Sequence, residues 1–141
     1  MRFFIIFVVI GLMSGCSTRP VPYHLSDPVP HSSLFDGYKL HSQSGDGLVR
    51  VVFVRDSGVY GSGMPAKLSI DGLSIARFWA GESIEIYLIP NSYIFAVEPF
   101  PRLGGAIVER EINISTDKSY AFRISLDGSG SFSLQQSTHL E

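Results

Sequence analysis

Residues 67–76 read KLSIDGLSIA, two short runs of alternating apolar and polar residues on either side of an Asp-Gly pair. Asp-Gly between such runs favours a two-residue type I′ turn, because both central residues of that turn have positive φ. If Ile70 pairs with Leu73, the four apolar side chains of the two runs fall on one face. The stretch therefore predicts an antiparallel hairpin with one buried face.

The same alternation continues outward from this hairpin. Residues 120–126 (YAFRISL) alternate most clearly, and residues 48–55 (LVRVVFVR) are apolar enough for a strand that is buried on both faces. A second hairpin is predicted around the Pro-Asn turn of residues 89–92, with Leu88 opposite Tyr93.

These runs predict the architecture of the domain. About eight short strands with turn residues between them indicate an all-β, antiparallel two-sheet β-sandwich over residues 47–136. A small closed barrel is the alternative, because eight strands can also close around a filled interior.

The N-terminus carries the pattern of a bacterial export signal. Residues 1–16 read MRFFIIFVVIGLMSGC, with one basic residue, an unbroken apolar run and small residues before a cysteine. The apolar run is shorter than the roughly 20 residues that a membrane-spanning helix needs. We therefore expect residues 1–15 to be a signal peptide that is removed between Gly15 and Cys16.

Cys16 is the only cysteine of the chain. Exported proteins usually carry even numbers of cysteines in disulfides, so a single cysteine needs another explanation. Residues 13–16 (MSGC) resemble a bacterial lipobox, which implies a lipoprotein with diacylglyceryl and N-acyl chains such as palmitate on Cys16. More than one chain gives stable attachment to a bilayer. The alternative is an ordinary signal peptide with a cysteine near its end by chance.

The residue after the cysteine bears on location. In the lipoproteins that this lipobox resembles, Asp at that position favours retention in the inner membrane, whereas Ser17 follows here. We therefore expect attachment to the outer membrane, with the domain facing the periplasm. Removing residues 1–15 takes one basic residue, Arg2, from a chain whose formal net charge is already −2. The domain thus has no basic excess for nucleic acid.

Residues 16–46 have the composition of a linker. They contain prolines at positions 20, 22, 28 and 30 and no sustained apolar period, which predicts a semi-extended, solvated tether. His24, His31 and His41 lie in this segment, but their irregular spacing without nearby Cys or carboxylate ligands favours solvated side chains over a metal site. Residues 137–141 are expected to form a short C-terminal tail.

The domain lacks a recognisable catalytic set. The only histidine outside the tether, His139, lies close to the C-terminus, and Cys16 cannot act as a nucleophile once it is acylated. Glu109 and Glu111 fall on one face of a strand, where alternation alone explains their spacing. The Gly-Ser-Gly loop of residues 61–63 lacks the Lys and the helix of a phosphate-binding loop. We therefore predict a non-enzymatic module without cofactor or metal.

Two loops, residues 56–65 and 100–105, form the predicted contact surface for another envelope protein or component. Tyr60 in the first loop and Trp79, the only tryptophan, are the candidate partner-binding residues. For Trp79 we favour a core position at the edge of the sandwich over partner binding. Arg77 would fall on the apolar face unless a bulge or a strand end intervenes. A concave aromatic or charged patch beside residues 60–63 would favour partner binding.

Two other classes of function stay open. A small tethered sandwich lipoprotein also occurs in type VI secretion machines, so a subunit of a secretion or envelope-assembly system is one alternative. An envelope carbohydrate-binding protein or enzyme that uses Trp79, Tyr87 and surface carboxylates is the other.

Several motifs together resemble one family of bacterial lipoproteins. A strand ending in Arg55, a Gly/Ser loop, the Asp-Gly hairpin and a proline turn followed by Tyr93 occur in the same order as in the domain of unknown function 2846 family. Residues 116–123 (TDKSYAFR) resemble its late Gly-Lys-x-Tyr-Tyr strand, although Asp117 and, in the proline turn, Asn91 replace glycines of that family. Over about residues 48–136, the resemblance implies a transthyretin-like sandwich without an established activity.

Replacing Cys16 tests the lipoprotein prediction. The Cys16→Ser variant has no thiol to carry the diacylglyceryl group, so it should lose fatty-acid labelling and accumulate as unprocessed precursor. Metabolic labelling and the size of the protein on a gel measure the two effects. Normal processing of this variant would contradict lipoprotein maturation.

Overall fold

The structure is a computed structural model that describes residues 18–58 and 61–140. This part of the chain is mostly β, with nine strands and three short helical turns. The strands, in chain order, are β1 (Asp27–Pro28), β2 (Val49–Arg55), β3 (Ala66–Ile70), β4 (Leu73–Phe78), β5 (Glu82–Leu88), β6 (Asn91–Pro99), β7 (Val108–Ile114), β8 (Tyr120–Leu126) and β9 (Phe132–Gln136). The helical elements are the 3-10 turns Tyr23–Leu25 and His31–Ser33 and the four-residue helix α1 (Asp36–Lys39).

The strands form two sheets. The first has the order β1-β5-β2-β8-β9 and the second has the order β4-β3-β6-β7. Neighbours in the second sheet are antiparallel, but β1 pairs with β5, and β2 with β8, in parallel. The prediction of a two-sheet, mainly β domain is confirmed, and the prediction that all strand pairs are antiparallel is wrong. β2 and β8 become neighbours only after the chain has passed through the second sheet, so no hairpin forces them to be antiparallel.

The two sheets pack face to face around a core of aromatic and aliphatic side chains. Phe53 of β2 stacks on Phe122 of β8 with ring centroids 5.2 Å apart, and Phe95 of β6 meets each ring edge-on at 5.3 Å. All three rings are buried. Because Phe95 belongs to the second sheet, these contacts join the two sheets at the centre of the sandwich-like domain.

The turn of the first predicted hairpin is confirmed. Asp71 and Gly72 have φ values of +48° and +80°, and Ile70 pairs with Leu73. Both central residues therefore adopt the positive φ that the Asp-Gly pair was expected to supply.

A bulge interrupts this hairpin after the turn. Leu68 pairs with Ala76, where an uninterrupted register would place Ile75 opposite it. The extra residue in β4 lets alternation resume with Phe78 buried in the core and Arg77 on the opposite face. The bulge predicted from Arg77 is thus present a few residues before it.

The second predicted hairpin does not form. β5 and β6 lie in different sheets, where Leu88 pairs with Val49 and Tyr93 pairs with Ile112. Residues 89–90 carry the chain from one sheet to the other. Both strands alternate as predicted, because their apolar faces meet the same core from opposite sides. A connection between two sheets can have the same alternating strands and the same turn residues as a hairpin. The sequence pattern therefore predicted that β5 and β6 pair with each other, which is wrong.

The segment predicted to be a solvated tether packs against the domain from residue 18 onward. β1 adds to the edge of β5, and Val29 beyond it is buried and donates its backbone N–H to Ser83 O at 2.9 Å. Farther along, Phe35 donates its N–H to Ile75 O at 2.9 Å. Proline has no backbone N–H, but β1 is an edge strand and needs hydrogen bonds on one side only. Prolines are therefore tolerated in this segment.

The C-terminal tail also packs onto the domain. Leu140 is buried against Val52, Val54 and Ala121 on the outer face of the first sheet. Its carbonyl oxygen accepts the backbone N–H of Tyr23 at 2.6 Å. The two terminal segments therefore cover this face together.

Two leucines of the terminal segments test this packing. Leu140 is 2% exposed and Leu25 is 69% exposed. Leu140→Ala should lower the free energy of unfolding by about 2 kcal/mol, because it removes a buried side chain and leaves a partial cavity. Leu25→Ala is the control and should change that free energy by less than about 0.5 kcal/mol. Urea unfolding measures both, and equal effects would mean that the tail does not pack there.

Candidate functional site

Four loops meet at one end of the two sheets, which we call the groove end. They are residues 56–58 with 61–65, 79–81, 100–107 and 127–131. The strand register brings them together, because Arg55 pairs with Ile124 in the first sheet and Ala66 pairs with Phe78 and Pro99 in the second. Strands β2, β4, β6 and β8 therefore all end at the groove end.

The loops enclose a groove of about 570 Å³. Its largest lining side chains are Met64, Arg77, Trp79, Phe100, Pro101 and Leu103, and glycines and prolines of the same loops complete the walls. Among the described residues that line it, Arg77 is the only charged one. A cleft of this size and apolar character is typical of binding sites. The two predicted contact loops thus contribute to one concave aromatic surface.

Trp79 lines the groove and does not fill the core. The residue is 39% exposed, and its backbone N–H donates to Glu82 Oε2 at 2.7 Å. This hydrogen bond fixes the loop after β4 while the indole ring stays at the groove wall. Leu103, in another loop of the groove, is 87% exposed. The favoured prediction of a core position for Trp79 is therefore wrong.

Arg77 supplies the cation of the groove. Its guanidinium lies over the Phe100 ring, 5.7 Å from the centroid, and Nη2 donates to Ser33 Oγ at 3.1 Å. The Nε atom is buried and has no hydrogen-bond partner among the described residues. A buried donor without a partner costs about 1–3 kcal/mol, so the position of this guanidinium is set by its contacts with Phe100 and Ser33. Arg77 is thus the groove residue best suited to hold an anionic group.

Arg55 holds two of the groove loops together. It ends β2 and is buried, with Nη1 donating to Phe78 O at 2.7 Å and Nη2 donating to Gly61 O at 2.9 Å. Its guanidinium also lies 5.2 Å from the centroid of the Phe132 ring. Burial lowers the pKa of Arg55 to about 10, against the opposing effect of nearby carboxylates. The side chain therefore keeps its charge at neutral pH.

The loop after β2 depends on glycine at position 61. Gly61 has a φ of +70°, and a Cβ atom there would overlap Leu126 Cδ2. Any other residue would meet both the steric penalty of positive φ and this contact. The sharp turn places the Gly61 carbonyl within hydrogen-bond distance of Arg55. The backbone conformation therefore explains why glycine occurs at position 61 of the Gly/Ser loop.

Asp56, the next residue after β2, forms a buried ion pair. Its carboxylate accepts hydrogen bonds from Arg123 Nε at 2.6 Å and Nη2 at 2.5 Å, and its Oδ2 also accepts from Thr18 Oγ1 at 2.9 Å. Beside this pair, Arg19 and Ser57 exchange backbone hydrogen bonds at 2.7 and 2.9 Å. The first described residues of the chain are therefore held at the groove end.

A second polar cluster lies on the outer face of the first sheet. Glu85 accepts hydrogen bonds from Arg50 Nε at 2.6 Å, from Tyr23 OH at 3.2 Å and from Tyr87 OH. Burial raises the pKa of Glu85, but the hydrogen bonds from Tyr87 and Arg50 outweigh burial and lower it overall. Burial and the Glu85 charge raise the pKa of Tyr23. The cluster fastens the segment around Tyr23 to the sheet, so we assign it a structural role.

Three predicted site residues, Gly15, Cys16 and Tyr60, lie outside the described residues. Glu109 and Glu111 lie exposed on β7. Within residues 18–58 and 61–140, no group of three His, Cys, Asp or Glu side chains is placed to hold a metal ion. In the same residues, no helix has the length and apolar character needed to cross a membrane.

Sequence reasoning missed the roles of Arg55 and Phe100 and treated Arg77 only as a sign of a bulge. For Arg55 the available signal was an arginine at the end of an otherwise apolar strand, because a buried charge needs several acceptors. For Phe100 no local signal exists, since its partners Phe35 and Arg77 lie far away in sequence.

The chain matches no family model, and searches of curated proteins and of solved structures find no match. The resemblance to the domain of unknown function 2846 family therefore stays a prediction.

Replacing Arg55 tests its role in shaping the groove. Arg55→Met keeps an unbranched apolar stem but leaves two carbonyl oxygens without donors, so the free energy of unfolding should fall by about 1–3 kcal/mol. The emission of Trp79 should shift to longer wavelength as its loop loosens. Urea unfolding and fluorescence measure the two effects.

Arg110→Met, which removes an exposed arginine of β7, is the control for this experiment. It should change stability by less than about 0.5 kcal/mol and leave the Trp79 emission unchanged. If Arg55→Met behaves like Arg110→Met, Arg55 does not hold the loops.

Proposed function

We propose that this chain is a lipid-anchored, non-enzymatic protein of a bacterial cell envelope whose groove binds another envelope component. The observation that carries the proposal is the groove itself, where Trp79 and Leu103 stay exposed in an apolar wall around one cation. A concave apolar surface that a small domain leaves exposed marks a binding site. The export-signal pattern and the lipobox-like residues 13–16 support attachment through Cys16, and Ser17 supports the outer membrane.

The chemistry of the groove supports binding over catalysis. Its described lining residues are apolar residues, glycines, prolines and Arg77. None of them is a nucleophile or a proton donor and acceptor that works near neutral pH, because arginine stays protonated. The lining also lacks the carboxylates and amides that recognise sugar hydroxyls, so we favour an apolar or amphiphilic component over a carbohydrate.

We also propose a transthyretin-like sandwich of the domain of unknown function 2846 family. Two motif elements that carry the resemblance, the strand-ending Arg55 and the Gly/Ser loop, are joined by the hydrogen bond from Arg55 Nη2 to Gly61 O. A third element, the Asp-Gly turn, has the backbone conformation that its sequence favours. The motif residues thus have structural roles in this fold, which supports the proposed resemblance.

A photo-cross-linking residue at position 103 tests the binding role of the groove. Leu103 is the most exposed apolar groove residue, so a cross-linker there should form a discrete adduct in intact cells. Trp79→Ala removes one wall of the groove and should reduce the yield of that adduct severalfold. Mass spectrometry of the purified protein measures the yield and the mass of the adduct.

A cross-linker at position 94 is the matched control. Ile94 is also exposed, and it lies next to the Asp71 turn at the end of the sheets opposite the groove. No adduct at position 103, or equal yields at the two positions, would contradict groove binding.

A further inference from the structure

Thr18 and Arg19 lie at the groove end. Thr18 donates its hydroxyl to Asp56, and Arg19 forms a backbone bridge with Ser57. These contacts attach the N-terminal segment to the loop that follows β2. The chain therefore leads toward Cys16 from the same end of the sheets that carries the groove.

The loop of Trp79 lies directly against this attachment point. Gly81, two residues after Trp79, donates its N–H to the carbonyl oxygens of Arg55 and Asp56, each at 3.2 Å. Asp56 is the residue that also binds Thr18. Trp79 and the start of the described chain are thus held by one small group of loops.

Covalent geometry limits how far Cys16 lies from the groove end. Two residue steps separate it from Thr18, and an extended chain covers at most about 3.6 Å per step, so the two Cα atoms lie within about 7 Å. β2 and β5 each have seven residues, which span about 23 Å at a rise of about 3.3 Å per residue. The attachment point of a lipid on Cys16 therefore lies nearer the groove end than the opposite end.

Exposure of apolar side chains does not by itself choose the end that faces a membrane. Ile89 and Leu40, which lie at the opposite end, are also well exposed. The short distance along the chain from Thr18 to Cys16 therefore favours the groove end as the end that faces the membrane.

We propose that the groove end faces the bilayer to which Cys16 is attached, and that the component bound in the groove is a phospholipid of that bilayer. This inference rests on the lipid attachment in the proposed function. Trp79 has the side chain that is enriched at the level of the headgroups, and Leu103 has an apolar side chain that favours the acyl chains. Arg77 adds the one positive charge among the described lining residues, which suits a phosphate oxygen.

The charges around the groove favour an anionic headgroup. Glu98 lies 2.5 Å from Lys67 Nζ and 3.7 Å from Arg102 Nε, so two cations neutralise it. Arg102 is itself mostly exposed. Among the described residues that line the groove, Arg77 is the only charged one, so an anionic headgroup meets one cation and no carboxylate there, although the chain as a whole has a negative formal charge.

The fluorescence of Trp79 tests this orientation, because it is the only tryptophan of the chain. The full-length, processed and lipidated protein is reconstituted into vesicles of phosphatidylethanolamine and phosphatidylglycerol, with or without bromine atoms on the upper part of the acyl chains. We expect loss of Trp79 emission in the brominated vesicles and protection of Trp79 from aqueous acrylamide.

Moving the tryptophan gives a matched control. Trp79→Phe combined with Ile89→Trp places the fluorophore at the opposite end, and Trp79→Phe combined with Leu40→Trp is a second version for use if the first does not fold. Circular dichroism checks the fold of both. The moved tryptophan should stay accessible to acrylamide and be quenched far less by bromine.

The outcomes separate this inference from the proposed function. A protein without lipid on Cys16 contradicts the proposed function. A lipidated protein in which Trp79 is quenched no more than the moved tryptophan contradicts the orientation of the groove end.

Arg77→Gln tests the phospholipid contact, with Arg110→Gln as the control on an exposed strand. Loss of the Arg77 charge should weaken quenching of Trp79 in vesicles that contain phosphatidylglycerol, whereas the control should not. Equal quenching in the two variants contradicts headgroup binding by Arg77.

Discussion

The groove end depends on one buried guanidinium at the end of β2. A charge in the interior is costly unless acceptors satisfy its donors, and Arg55 meets that condition only with Phe78 O and Gly61 O both in reach. The first carbonyl directly precedes Trp79, and the second begins the loop that contains Met64. The interaction that closes this end of the core therefore also sets the distance between two walls of the groove.

The terminal segments complete the first sheet and at the same time restrict the position of the domain on a membrane. Without them, the outer face around Val52 would be exposed and β5 would be an unpaired edge. The same packing holds Thr18, two residues after Cys16, at the groove end. A segment with the composition of a linker thus becomes part of the domain, and the lipid attachment proposed for Cys16 would hold the domain in one orientation.

The two predicted hairpins show where sequence reasoning succeeds and fails. At Asp71 and Gly72 the turn needs positive φ at both central residues, which few residue pairs supply, so the local sequence specifies the partner strand. At residues 89–90 the turn chemistry fits a hairpin equally well, but β5 and β6 pair within different sheets. The parallel pairing of β2 with β8 has no local signature at all, since some 70 residues separate the two strands.

The sequence by itself determined most strands, the first turn, the bulge near Arg77 and the loops of residues 56–65 and 100–105, because each follows from alternation or from the turn residues of a short stretch. Only the tertiary structure decided which strands share a sheet, that residues 18–40 pack against it, and that Arg77 and Phe100 join Trp79 in one groove. Those outcomes depend on contacts between residues far apart in the chain. Their free energy comes from filling a common core and satisfying buried donors, which no local pattern records.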